Sequence, residues 1–144
     1  MRTTYKRAFK PTKTLYKDIC KVDSSLSYEE KVFLSVEDGR EEDDSEDILY
    51  REVLYIDKEP AAYCELYDET WNRMYVAICV DSKFRGLNLS TKLLDRMFKT
   101  VSMDEFFDNK KFLWLVNREN DKSIYLAKRY GFKTNTSYKR LKYR

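Results

Sequence analysis

Apolar and polar positions along this chain fall into short blocks whose spacing predicts one mixed α/β domain. Arg2, Lys6, Arg7 and Lys10 surround Tyr5 and Phe9 in a first segment that predicts a strand ended by Pro11. Leu15, Ile19 and Val22 are spaced for a helix over 14–22. Ser27 and Glu30 then form the S-x-x-E pattern of a capping box, opening a second helix that reaches about Val36. Ile48 to Ile56, Ala61 to Tyr67 and Trp71 to Val80 predict three strands. Turns are expected at Asp57-Lys58-Glu59-Pro60 and Asp68-Glu69-Thr70, giving an antiparallel meander. Asp81 to Gly86 predicts a further turn. From Leu87, the positions Leu89, Leu93, Leu94 and Met97 trace a helix reaching about Met103. After a loop over 104–110, Lys111 to Val116 is continuously apolar beyond its first residue, as expected of a strand covered on both faces. Asn120 is placed to cap a helix from Asp121 to about Tyr130, stopped by Gly131. Phe132 to Tyr143 supplies one or two last strands, whose Lys, Arg and Tyr residues suit a charged sheet edge.

Composition narrows the chemistry. The 144 residues, 42% hydrophobic and 37% charged, suit a single globular domain over 1–144. Histidine is absent, which excludes His-based metal sites and Ser–His or Cys–His nucleophile pairs. Acid–base work must fall to Glu, Asp, Tyr, Cys, Ser, Lys, water or substrate. Cys20, Cys64 and Cys79 are widely spaced and read as reduced thiols, and no metal is expected. No apolar run is long enough to span a membrane, so the chain is read as cytoplasmic. A net charge of +3 does not by itself imply nucleic acid. A polynucleotide reading rests only on Lys133, Lys139, Arg140, Lys142 and Arg144 interleaved with Tyr138 and Tyr143, and nucleic acid is not the expected partner. The acidic run from Glu37 to Asp47 reads as a solvated loop, or as a negative rim attracting a cationic amine.

Strand, basic turn and helix from Met74 to Met97 form a unit suited to phosphate, because helix N-terminal amides are unpaired and the dipole is positive there. Val80, Arg85 and Gly86 in the segment Val80 to Ser90 resemble the acetyl-coenzyme A loop of the GNAT-type N-acetyltransferases, roughly V-x-P-x-x-R-G-x-G-x-G/A. Ser82 stands where that pattern has Pro, and Asn88 and Ser90 stand at its glycine positions. A second segment, Leu115 to Phe132, resembles the family's other signature through Val116, Asn120, Gly131 and Phe132. Ser123 replaces its Ala, and Ala127 stands where the family has Tyr.

The resemblance implies a three-layer α/β/α (α+β) fold with a central, mostly antiparallel mixed sheet whose strands 4 and 5 are parallel and splayed. It implies acetyl-CoA as cosubstrate in that wedge, with its pyrophosphate on the amides of Arg85, Gly86, Leu87, Asn88, Leu89 and Ser90. The pantetheine would run beside Ile78, Cys79 and Val80, with Asn117, Asn120 and Ser123 contacting it. A backbone amide near Val80 would polarise the thioester carbonyl. Implied activity is transfer of acetyl to a primary amine, small or on a protein, by direct attack in a ternary complex, with a monomer or homodimer as the working unit. With Ala127 at the Tyr position, helical phase nominates Ser123 and Tyr130 as proton donors, and directs Tyr125 toward the core. Glu65, Glu69 and Tyr75 are the candidate bases, and a nucleophilic role for Cys79 is the least expected. Against the enzyme reading stands a protein of the same fold that binds coenzyme A or a macromolecular partner with weak or no catalysis.

Overall fold

Alternation from Tyr50 to Ile56 in the second strand divides the molecule into two cores. The computed structural model describes residues 1–9, 15–34, 48–70, 73–117, 119–135 and 140–143. Its elements are β1 (Thr3–Phe9), α1 (Tyr16–Asp23), α2 (Tyr28–Leu34), β2 (Ile48–Ile56), β3 (Glu59–Thr70), β4 (Arg73–Val80), α3 (Leu89–Ser102), β5 (Lys111–Leu115), α4 (Asp121–Arg129), β6 (Phe132–Asn135) and β7 (Arg140–Tyr143). In β2, Tyr50, Leu54 and Ile56 face one core with Leu93, Leu94 and Met97 of α3 and Ala127 of α4. Val53 and Tyr55 face the other, with Ile19 and Val22 of α1. A period of two therefore gives each face of the sheet its own helical cover, which makes the three layers.

The sheet order is β1-β2-β3-β4-β5-β7-β6. Neighbours are antiparallel except β4 and β5, which run parallel. That mixed, mostly antiparallel architecture is the one the resemblance implied.

Several boundaries differ from the sequence reading. Asp57 and Lys58 alone make the β2–β3 turn, both left-handed at φ 48° and 70°, as a two-residue hairpin turn requires. Glu59 and Pro60 therefore belong to β3, opposite Ile56 and Tyr55, and a register shift beside Pro60 accommodates the missing N–H. Asp68, Glu69 and Thr70 are strand as well, held by Asp68↔Met74 and Thr70↔Arg73 across a bulge. Helix α3 begins at Leu89 instead of Leu87, because Asn88 before it is left-handed at φ 61°. The expected sheet edge falls to β6, last in the sheet order, and not to β7, which pairs with β5 on one side and β6 on the other. The acidic run from Glu37 to Asp47 lies outside the described residues, as do Trp71 and Asn72. Among the described residues no helix is long and apolar enough to cross a membrane.

Candidate active site

The sheet opens where β4 and β5 stop pairing. They meet only at Arg73↔Lys111, Met74↔Phe112 and Tyr75↔Leu113. Beyond that point β5 pairs with β7 through Leu113, Trp114 and Leu115, and no β5 residue stands opposite Val76 to Val80. The two strands part as a wedge, leaving one edge of β4 facing a cavity of about 880 Å³. Ile78, Cys79 and Val80 line this cavity from β4.

The β4–α3 connection forms its floor. Asp81, buried, accepts from the backbone N–H of Lys83 at 3.0 Å, and its carbonyl accepts from Phe84 N–H at 2.9 Å, fixing a single 3-10 turn at Ser82–Phe84. Gly86 then takes φ +85°, and no atom lies within 4 Å of where a Cβ would stand. The glycine is required by the backbone angle and faces open space. Asn88 is also left-handed, and its side chain makes no capping hydrogen bond to α3. The first amides of α3 are thus left without a side-chain cap beside Arg85, Gly86, Asn88 and Ser90, all of which line the cavity. A donor set of that kind suits a phosphate or another anion.

Two helices close the remaining sides. From α4, Lys122, Ser123, Tyr125, Leu126 and Arg129 line the cavity. Asn120 lines it too, although it is buried and its Oδ1 caps α4 by accepting from Ser123 N–H at 3.1 Å. From α2 come Glu29, Glu30, Phe33 and Leu34. The capping box at its start is formed as the sequence predicts. Ser27 N–H donates to Glu30 Oε1 at 3.1 Å and Glu30 N–H to Ser27 Oγ at 3.2 Å.

Helix α2 is fastened to the loop below it. Arg85 Nη1 donates to Glu30 Oε2 at 2.7 Å. Ser82 N–H donates to Ser25 Oγ at 3.1 Å, and Ser82 Oγ donates to the Ser25 carbonyl at 2.9 Å. A proline at position 82 could not make the first of these bonds. The Ser27 amide, and after it Arg85, hold the Glu30 carboxyl below its ordinary pKa.

Of the nominated coenzyme contacts, Leu87 and Asn117 are not in the cavity wall. Asn117 instead accepts from Glu119 N–H at 2.9 Å. The nominated catalytic residues separate. Ser123 lines the cavity, but Tyr130 does not. The Tyr130 hydroxyl donates to Asp95 Oδ1 at 2.5 Å, and its ring packs 5.3 Å from Phe98; burial and the Asp95 contact push its pKa up. Glu65 is fully buried in an ion pair with Arg51 Nε at 2.9 Å, a structural position away from the cavity wall. Tyr75 packs against Tyr67 at 5.4 Å and is likewise outside the wall. Ala127 is fully buried in the core. Tyr125, directed to the core by the sequence reading, is 72% exposed and lines the cavity. Positions 122, 125, 126 and 129 share one face of α4, an i, i+3, i+4, i+7 stripe that was present in the sequence. Among the described residues no group of three or more Cys, Asp or Glu is gathered for a metal ion.

Comparison with known proteins converges on one family model. The model described as "Acetyltransferase (GNAT) family" matches residues 12–132. Among solved structures, an acetyltransferase of the GNAT family from Streptococcus pneumoniae superposes with a TM-score of 0.71 at 11% identity, covering 93% of this chain and 86% of that one. An acyl-CoA N-acyltransferase from Pseudomonas aeruginosa gives 0.70 at 16% identity, covering 99% and 100%. The PaiA N-acetyltransferase from Thermoplasma acidophilum, in complex with coenzyme A, gives 0.68 at 14% identity, covering 100% and 99%. At these identities the superpositions establish the fold. No curated protein matches the chain in sequence.

Proposed function

The chain belongs to the Acetyltransferase (GNAT) family, within the acyl-CoA N-acyltransferases, and from that premise we propose that it moves an acetyl group from acetyl-CoA to a primary amine by direct attack in a ternary complex. The observation that carries the reading is continuity. One cavity joins the uncapped start of α3, beside Arg85, to the free edge of β4 in the wedge. Bound acetyl-CoA supplies an acyl thioester, already activated toward an amine.

The residues divide the remaining work. Arg85 and the amides of Gly86, Asn88, Leu89 and Ser90 would hold the donor's phosphates. The edge of β4 that β5 leaves uncovered beside Ile78 and Val80 would pair with its amide-bearing arm as an added strand, and a backbone N–H there would polarise the carbonyl. Leu126, Phe84 and Ile78 supply apolar wall that excludes water. An alkylammonium has a pKa of about 10, so the amine must lose a proton before attack. The cavity's carboxylates among the described residues are Glu29 and Glu30. Glu30 is engaged by Arg85, which leaves Glu29 as the group to draw a cationic amine and accept its proton through water. On attack the C–N bond forms and the C–S bond breaks. A thiolate whose acid has a pKa of about 8.5 can leave unassisted. Tyr125, with Ser123 nearby on α4, is the hydroxyl positioned to protonate it.

A second reading, donor binding with weak or absent turnover, draws support from Ala127, which puts no hydroxyl at the family's Tyr position. Thermal unfolding with acetyl-CoA and desulfo-coenzyme A, followed by thiol release with a panel of amines, tests both. Ligand at 100 times its Kd should stabilise by about 2.7 kcal/mol, a shift of several degrees that Arg85→Glu abolishes. No shift at millimolar ligand would overturn the donor site. A shift without thiol release on any amine would favour the second reading.

A further inference from the structure

Arg85 carries one positive charge and stands before two claimants. One is the phosphate-binding loop of which it is part. The other is Glu30 of α2, whose two carboxylate oxygens have separate tasks. Oε1 caps its own helix through Ser27 N–H at 3.1 Å, and Oε2 takes Arg85 Nη1 at 2.7 Å. Both side chains line the cavity and both are partly exposed, 43% for Arg85 and 35% for Glu30. The ion pair therefore lies on the surface that a ligand's phosphate would contact.

We infer that Glu30 competes with the donor's phosphates for Arg85, acting as an internal stand-in for an anion. The inference rests on the reading of the cavity as an acetyl-CoA site. A carboxylate at 2.7 Å neutralises the guanidinium and satisfies part of its donor fork. A phosphate arriving at Arg85 must displace Glu30 or sit beside a second negative charge, and either lowers affinity. The cost is small, because a partly exposed ion pair contributes little. Displacement leaves α2 in place, since the Ser25–Ser82 bonds and the Ser27 cap do not involve Arg85. It frees one oxygen of Glu30 toward the cavity, beside Glu29, where a cationic amine would meet it. By linkage, whatever cation pairs with Glu30 then strengthens phosphate binding at Arg85 by the same factor, so donor and amine favour each other.

The test is calorimetric titration of coenzyme A into the whole protein and four variants: Glu30→Gln, Arg85→Gln, both together, and a control carboxylate. Glutamine keeps the side-chain oxygen that caps Ser27, so the change removes charge and leaves the helix start intact. Glu30→Gln should tighten binding by about 1.5- to 5-fold, the range expected of an exposed ion pair. In the Arg85→Gln background the same change should have no effect. Glu105→Gln, which removes an exposed carboxylate outside the cavity wall, should leave the affinity within error. Unchanged or weaker binding by Glu30→Gln, or equal tightening with and without Arg85, would overturn the competition while leaving the donor site standing. Failure of the wild-type protein to bind coenzyme A at all would overturn both.

Discussion

Breaking the Arg51–Glu65 pair separates a scaffold carboxylate from a catalytic one. The two residues are opposite one another on β2 and β3, and Nε to Oε2 is 2.9 Å. Their side chains are 1% and 0% exposed, so neither charge can be hydrated if the other is removed. Glu65→Leu should therefore destabilise by up to about 3–5 kcal/mol, the cost of removing one partner of a buried pair, less what the further interactions of Arg51 offset. For a chain of this length that lowers the melting temperature by roughly 6–20 °C. Arg51→Met with Glu65→Leu removes both charges and should recover a large part of the loss, because well-packed apolar replacements of buried pairs are often neutral. Recovery should be partial, since both residues make further interactions. Urea titration followed by far-ultraviolet circular dichroism gives the three free energies of the cycle, and thiol release gives activity. A single-variant loss below about 1 kcal/mol, or a double variant no more stable than the single, would refute the argument from burial. A folded double variant that loses about 10²–10⁴-fold in turnover would show Glu65 to be a proton acceptor after all.

Tyr125→Phe should lower kcat by up to about 100-fold with little change in KM, because the hydroxyl is asked to act only as the thiolate leaves. An unchanged kcat in the thiol-release assay would return that proton to solvent. At alkaline pH, burial raises the pKa of Tyr50, burial and the Asp18 contact raise Tyr55, and burial and Asp95 raise Tyr130. Below about pH 10 these phenols are protonated in both folded and unfolded chains, and their contribution is fully present. Above it the unfolded chain ionises first, so stability must fall as pH rises. A phenolate absorbance titration should show at least these three tyrosines resisting ionisation until the circular dichroism collapses, and a single early transition of all twelve with the fold intact would contradict it.

The local parts of this fold are legible in the chain, and the parts set by distant contacts are not. The capping box at Ser27 and the Asn120 cap follow from neighbours within one turn, and both formed as expected. The length of β3 did not, because Asp68 and Thr70 read as turn residues until β4 pairs with them across a bulge. The loop from Val80 to Ser90 was recognisable from Arg85 and Gly86. The α2 wall of the cavity was not, since nothing local to Glu30 marks Arg85 as its partner 55 residues away. Tyr125 was misassigned for a different reason. Counting phase from Ala127 follows the resemblance, whereas the apolar core takes Ala127 itself and turns 122, 125, 126 and 129 outward to the cavity.

The position of β7 bears on how the wedge comes into being. β6 and β7 pair locally, from Phe132↔Tyr143 to Asn135↔Arg140, so they can assemble as a hairpin before meeting the rest of the sheet. Until that hairpin docks, β5 hangs from β4 by three residue pairs, and its other edge is open. Docking of β7 along Leu113, Trp114 and Leu115 anchors the far side of β5 and draws it away from β4. The hairpin is in this sense a buttress for the cavity's far wall. Damage to the hairpin would slacken the cavity wall that it supports through β5.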